Sequence, residues 1–118
     1  MKLNHLNLTV TDVRAAAAFL ETYFGLRSMG GNAGMQFLTD APADIGMVLT
    51  LMKAPAATPV AYPSTSHIGF FVESAAQVDE INRRLREDGH AVELPEHHNH
   101  GYGFYVEAPG GFTIELGA

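Results

Sequence analysis

An internal repeat is the feature that most constrains the fold of this chain. A shift of 62 positions aligns residues 5–10, HLNLTV, with residues 67–72, HIGFFV. Self-similarity at a fixed separation indicates that one structural unit occurs twice. The sequence therefore predicts two related modules within the 118 residues of the chain.

A helix signal follows each copy of the repeat. In the first half, Thr11 or Asp12 can cap a helix whose apolar residues recur at helical spacing, and Gly25 supplies a left-handed stop. In the second half, Ser74 begins a capping-box pattern and Gly89 is the corresponding stop. Each module is thus predicted to contain one helix, directly after its first strand.

Short strand-like runs complete each half. Those after the first helix are residues 26–30, 34–39 and 46–53, and those after the second are residues 90–94, 102–107 and 112–117. Each half therefore has the order β-α-β-β-β. Between the halves, residues 54–64 contain three prolines in an Ala- and Thr-rich setting, which suits an extended connector.

These elements predict an α+β fold made of two βαβββ modules, residues 1–53 and 65–118, in one domain spanning residues 1–118. We expect cupped mixed sheets with the helices on their outer faces. A four-stranded sheet with a single helix leaves its other face to be covered. The modules are therefore expected to pair, either within a chain or across a dimer.

Strand alternation predicts which side chains share a face. Alternate residues of a strand point to opposite sides of its sheet. The aliphatic rows of the first, fifth and last strands belong on the helix side, so His5, His67 and Glu115 are all expected on the opposite face. Two imidazoles and one carboxylate could then meet at one point.

Such a set would be a 2-His-1-carboxylate group, which leaves half of an octahedral metal open and suits Fe(II), with Mn, Ni, Co or Zn as further candidates. A carboxylate buried without a metal or a cation would be costly. The competing interpretation is structural. A lone His at a strand start is more often a hydrogen-bonded structural residue, and a Glu at a strand end is usually solvated.

Composition narrows the class of partner. The formal net charge is -6, with 13 acidic against 7 basic residues, which argues against nucleic acid because phosphate binding needs clustered Lys and Arg. The absence of cysteine excludes disulfides and Cys-based metal sites. Asn4, His5 and Asn7 stand where a signal peptide would need an apolar run, and the longest apolar stretches are too short to span a bilayer. We therefore expect a cytoplasmic protein.

The whole chain resembles a single-domain member of the vicinal oxygen chelate superfamily, which includes glyoxalase I, extradiol dioxygenases, and fosfomycin- and bleomycin-resistance proteins. The resemblance rests on residues 5–12, HLNLTVTD, on the repeated His67, and on residues 104–116, FYVEAPGGFTIEL. It implies paired βαβββ modules around a divalent metal ion held at His5, His67 and Glu115. It also implies a homodimer, in some members with sites shared between chains.

Departures from the family patterns bear on the reaction. Glyoxalase I takes a fourth ligand, a Glu, from the end of the first module, where the 62-residue shift gives Lys53 and no neighbouring carboxylate. Fosfomycin-type enzymes need several cations near the metal, and this chain has few. Both reactions are therefore disfavoured.

The extradiol dioxygenase signature fits better locally. It places a His before an apolar–Tyr pair and the ligand Glu, as His98, or His97, precedes Tyr105 and Glu115 here. By this resemblance Tyr105 would hydrogen-bond a substrate oxygen and His98 would shuttle protons. The second catalytic histidine of those enzymes lies between the modules, and residues 40–66 contain none.

The sequence as a whole favours a metal-dependent lyase, isomerase or dioxygenase acting on a small organic substrate chelated through vicinal oxygens. Its metal ligands would be His5, His67 and Glu115, with Tyr105 and His98 as catalytic residues. The alternative is a metal-free drug-binding protein of the bleomycin-resistance type. The cluster of His97, His98 and His100 is interpreted most simply as a polar surface loop, with adventitious metal binding or catalysis as further options.

Overall fold

A computed structural model of the protein describes residues 1–41, 43 and 46–118. The described residues of the first half form one helix and one four-stranded sheet. The strand order in this sheet is β1-β4-β3-β2, with β1 and β4 parallel and the other pairs antiparallel. The elements are β1 (His5–Val10), α1 (Val13–Tyr23), β2 (Arg27–Gly31), β3 (Met35–Thr39) and β4 (Val48–Lys53).

The second half repeats this arrangement. Its strand order is β5-β8-β7-β6, again with the first and last strands, β5 and β8, parallel and the other pairs antiparallel. The elements are β5 (His67–Phe71), α2 (Ala75–Glu87), β6 (Glu96–His98), β7 (Gly101–Ala108) and β8 (Phe112–Gly117). The predicted α+β fold of two βαβββ modules, each with a mixed sheet, is confirmed.

Side-chain caps start both helices. The Asp12 carboxylate accepts a hydrogen bond from the Ala15 amide at 3.0 Å, so Asp12 and not Thr11 is the cap of α1. The Ser74 hydroxyl accepts from the Gln77 amide at the start of α2. These bonds satisfy amides that a helix leaves unpaired at its first turn.

The chain divides into two compact units, each with its own core. The first unit is residues 1–61 with residues 109–111, and the second is residues 62–108 with residues 112–118. Helix α1 packs on β3 and β4, and α2 packs on β7 and β8. The side chains with less than 2% exposure include Val10, Val13, Leu20, Leu38 and Leu51 in the first unit, and Val78, Asn82, Leu85, Ile114 and Leu116 in the second.

The predicted strand at residues 90–94 is wrong. The His90 amide donates to the Leu85 carbonyl, which wraps the chain back over the end of α2. The buried Asn82 side chain then holds the Glu93 carbonyl at 2.8 Å. With its carbonyl committed to a helix and Pro95 lacking an amide, this segment does not pair as a strand, and β6 begins only at Glu96.

The 62-residue shift that relates the first strands of the two modules does not hold for their last strands. In the first module His5 lies opposite Val48 and Asn7 opposite Thr50, whereas in the second Gly69 lies opposite Glu115. Strand pairing therefore matches Glu115 to Thr50, and the equivalence with Lys53 from the uniform shift is wrong. Thr50 carries no carboxylate either, so the argument against a fourth acidic ligand in the first module is unchanged.

None of the helices in the part of the chain that the structure describes is long and apolar enough to cross a membrane.

Replacing Asn82 with alanine is expected to lower the free energy of unfolding by about 1–3 kcal/mol, because it removes a buried side chain together with its hydrogen bond to the Glu93 carbonyl. Denaturant unfolding measures the change. The exposed Arg86→Ala on the same helix is the control and should stay within about 0.5 kcal/mol of wild type. Equal losses in the two variants would contradict the anchoring role of Asn82.

Candidate functional site

The parallel pairing of β5 with β8 brings His67 and Glu115 together. Glu115 lies opposite Gly69, so His67 is its diagonal neighbour on the same face of the sheet. The His67 Nε2 atom is 3.2 Å from the Glu115 Oε2 atom. The exposed fractions of the side chains are 39% for His67 and 19% for Glu115, which leaves the pair accessible from the open face of the sheet.

Tyr105 joins this pair from the neighbouring strand. It lies directly opposite Glu115 in the antiparallel pairing of β7 with β8. Its hydroxyl donates to Glu115 Oε1 at 2.9 Å, and its ring meets the His67 ring edge-on with 5.6 Å between centroids. The hydrogen bond to the carboxylate, with a smaller contribution from burial, raises the pKa of the Tyr105 hydroxyl, so this group remains a donor at neutral pH.

His98 lies on the far side of Tyr105. It is on β6, next to β7, and its ring centroid is 6.0 Å from that of Tyr105 in an edge-on arrangement. His98 and Glu115 both line a depression on this module, together with Phe71. Phe71 is 66% exposed, which is unusual for a large apolar side chain and fits a surface that meets a ligand.

Gly69 keeps the face beside Glu115 open. A Cβ atom added at Gly69 would meet only the Glu115 Oε2 atom, at 3.7 Å. No side chain from this position therefore covers the carboxylate. A ligand or an ion can approach the pair directly.

Each of the two repeated histidines has its Nδ1 atom beside an oxygen acceptor. His67 Nδ1 is 3.0 Å from the Thr65 carbonyl oxygen, and His5 Nδ1 is 3.1 Å from the Asn4 side-chain oxygen. A carbonyl oxygen cannot donate, so these contacts are hydrogen bonds only when Nδ1 carries the proton. This is how the remote nitrogen of a metal-binding histidine is usually held, with Nε2 left as the ligand.

The contact between His67 and Glu115 then needs a cation. With the proton on Nδ1, a neutral imidazole has a lone pair on Nε2, which faces a carboxylate oxygen that is also an acceptor. Two acceptors 3.2 Å apart are stable only if a second proton or a metal ion lies between them. The geometry of the pair fits either an ion pair with a protonated His67 or two donors for a metal ion.

The structure brings four of the five predicted site residues, His67, Glu115, Tyr105 and His98, together in the second unit. His5 lies on β1 of the first unit with its side chain exposed. Within the described residues of either unit, no three His, Asp or Glu side chains form a group that could hold a metal ion. The three-ligand set that includes His5 stays a prediction.

The histidine cluster is only partly the surface loop that was expected. His97 and His98 belong to β6, and the turn that follows contains His100. The His97 ring packs on Tyr102, with 5.0 Å between centroids, whereas His98 and His100 line the depression with Glu115. Because alternate residues of a strand point to opposite faces, the side chains of His97 and His98 lie on opposite sides of the sheet.

Sequence reasoning missed the groups that orient the histidines. The Thr65 contact uses a backbone carbonyl, which has no signature in a sequence. The Asn4 contact had a weak signal, since an amide side chain directly precedes His5. The link from Tyr105 to Glu115 was also missed, although it follows from pairing β7 with β8 through the turn at residues 109–111.

Glu115→Gln is expected to change the free energy of unfolding of the metal-free protein by less than about 1 kcal/mol, because partly exposed ion pairs contribute little. Denaturant unfolding in the presence of a chelator measures the effect. Glu107→Gln is the matched control, since Glu107 also accepts a hydroxyl hydrogen bond, from Thr113. A loss above about 2 kcal/mol in Glu115→Gln alone would instead identify a structural pair.

The family model described as Glyoxalase/Bleomycin resistance protein/Dioxygenase superfamily matches residues 2–116. The chain is 52% identical to a Bacillus cereus protein whose structure is described as that of a possible glyoxalase; the alignment covers 100% of this chain and 99% of that one, with a TM-score of 0.88.

Two further relatives are more distant. An uncharacterized protein of Pseudomonas aeruginosa is 29% identical over 120 residues, which cover 97% of this chain and 86% of that protein. A mutant of the fosfomycin resistance protein FosX of Listeria monocytogenes, complexed with Mn(II) and a dihydroxypropylphosphonic acid, has 22% identity and a TM-score of 0.79, covering 99% of this chain and 91% of that one. At that identity the likeness concerns the fold.

Proposed function

Because the chain belongs to the Glyoxalase/Bleomycin resistance protein/Dioxygenase superfamily, we propose that it is a metal-dependent enzyme acting on a small organic molecule bound through two vicinal oxygens. His67 and Glu115 would hold the metal ion, with His5 as the third ligand. Tyr105 and His98 would act beside it. The reaction would be that of a lyase, an isomerase or a dioxygenase.

One observation carries the proposal. With Nδ1 of His67 donating to the Thr65 carbonyl, the Nε2 lone pair and the Glu115 Oε2 atom converge at 3.2 Å. His5 has its Nδ1 atom engaged in the same way, by Asn4, so its Nε2 atom is equally available. The pair therefore offers one nitrogen and one oxygen donor for a metal ion.

The donor set fits a divalent ion. Imidazole nitrogen and carboxylate oxygen suit Fe(II), Mn, Ni, Co or Zn, and they leave open positions for a substrate. The FosX structure contains Mn(II), which supports a divalent metal in this superfamily. When bound, such an ion would stabilise negative charge that develops on the vicinal oxygens of a substrate.

The surrounding side chains would bind the substrate and handle its protons. The exposed Phe71 ring offers an apolar surface beside Glu115. His98, within the same depression, would act as the general acid or base for a bound substrate. This pairing of His98 with Tyr105 is the observation that favours dioxygenase-like chemistry among the three reaction classes.

We expect the metal-loaded protein to contain about one metal ion per chain and His67→Ala to contain none, because that substitution removes one ligand of the pair. Protein purified without oxygen is analysed for its metals by elemental mass spectrometry. His97→Ala is the control and should keep the metal, since His97 packs on Tyr102 instead of lining the depression.

Loss of metal in the control variant but not in His67→Ala would identify the histidine cluster as an adventitious site. Absence of metal from the wild type, even after reconstitution with each of the candidate ions, would contradict the proposal. The metal-free drug-binding alternative would then be tested with cationic and aromatic drugs, which suit the acidic chain.

We further propose that the protein is a homodimer, and a mixing experiment identifies the chain that supplies His5. His5→Ala and His67→Ala proteins are unfolded together, refolded and assayed for metal. If the site is shared between chains, half of the sites in each mixed dimer have intact ligands, and metal binding returns. If each site lies within one chain, mixing restores nothing.

A further inference from the structure

Tyr105 is hydrogen-bonded to Glu115, one of the proposed metal ligands. Its hydroxyl is directed at Glu115 Oε1, at 2.9 Å. We propose that Tyr105 is a positioning residue that makes Glu115 a one-oxygen metal ligand, occupying Oε1 and leaving Oε2 for the ion. This inference rests on the proposed metal site and concerns how that site is built.

The two carboxylate oxygens of Glu115 have different surroundings. Oε1 accepts from Tyr105, whereas Oε2 faces the Nε2 atom of His67 at 3.2 Å. A carboxylate can bind a metal through one oxygen or through both. Here one oxygen is already engaged by a neutral donor, so only Oε2 is directed toward the metal position.

The strand register fixes this arrangement. Tyr105 and Glu115 are directly opposite each other across β7 and β8, so their side chains project side by side from one face. The edge-on contact of the Tyr105 ring with His67 adds a second restraint, at 5.6 Å between centroids. Tyr105 thus contacts both proposed ligands of this module and holds their relative orientation.

The consequence is a site with more open positions. A carboxylate that binds through both oxygens occupies two positions of the metal, whereas a one-oxygen ligand occupies one. The coordination position of the metal that Glu115 leaves open is then available to a substrate that must bind through two oxygens. Tyr105 would therefore favour chelation of the substrate through its effect on Glu115.

The test compares Tyr105→Phe with Tyr102→Phe. Tyr102 is on the same strand, and its hydroxyl also donates to a carboxylate, that of Asp79 on α2, at 2.7 Å. The two variants lose the same kind of hydrogen bond, one from Glu115 and the other from Asp79. Mn(II) affinity is measured by calorimetry, and the visible absorption of the Co(II)-substituted proteins reports the coordination number.

We expect Tyr105→Phe to weaken Mn(II) binding by about 10- to 100-fold, as the loss of groups that orient metal ligands usually does. Its Co(II) spectrum should change in intensity as Glu115 becomes free to bind through both oxygens. Tyr102→Phe should match wild type in both measurements. Thermal unfolding of the metal-free variants verifies that each is folded.

Mn(II) affinity and a Co(II) spectrum that are unchanged in Tyr105→Phe would overturn the positioning role while leaving the metal site intact. Equal weakening in both variants would also overturn it, because the effect would then be general to the sheet. Wild-type protein that binds neither ion would overturn the metal site itself, and the positioning role with it.

Discussion

The parallel pairing of the first and last strands in each module is the constraint on which the rest of the structure depends. In the second module it places Gly69 opposite Glu115 and His67 diagonally beside that carboxylate. A slip of one residue would turn Glu115 into the core and expose Ile114, which is fully buried. The apolar row that faces α2 therefore fixes the register, and the register in turn fixes the polar site on the other face.

The two modules share this framework but differ in chemistry. Thr50 occupies the position in the first sheet that Glu115 occupies in the second, and Phe37 lies opposite it where Tyr105 lies opposite Glu115. A hydroxyl at position 37 would have no carboxylate to bind. The first module thus keeps a histidine at the equivalent position, His5, and lacks the carboxylate with its hydrogen-bonding partner.

The repeat, the helix caps and the facing of strand residues could be predicted from sequence because each depends on local spacing. The alternation of side chains along a strand was enough to predict that His67 and Glu115 lie on one face. The strand at residues 90–94 was predicted wrongly because a single buried side chain, Asn82, holds Glu93 from another element. The assumption of a uniform repeat likewise matched Glu115 to Lys53 in place of Thr50, because the stretch between the first and last strands is longer in the second module than in the first.

The finest features of the site lay beyond the sequence. The Thr65 carbonyl that holds His67 is a backbone group, and the Tyr105 hydroxyl reaches Glu115 only through strand pairing. These contacts decide which nitrogen and which oxygen face the open side of the sheet. In the proposed site, these two atoms are the metal donors.

Anomalous X-ray diffraction from crystals of the Mn(II)-loaded protein tests the central claim most directly, because it locates the ion independently of any assumed ligand. The account predicts a peak within bonding distance of His67 Nε2 and Glu115 Oε2, with Glu115 Oε1 still bonded to Tyr105. A peak at His97 or His100 alone, or no peak in crystals grown with saturating metal, would contradict it.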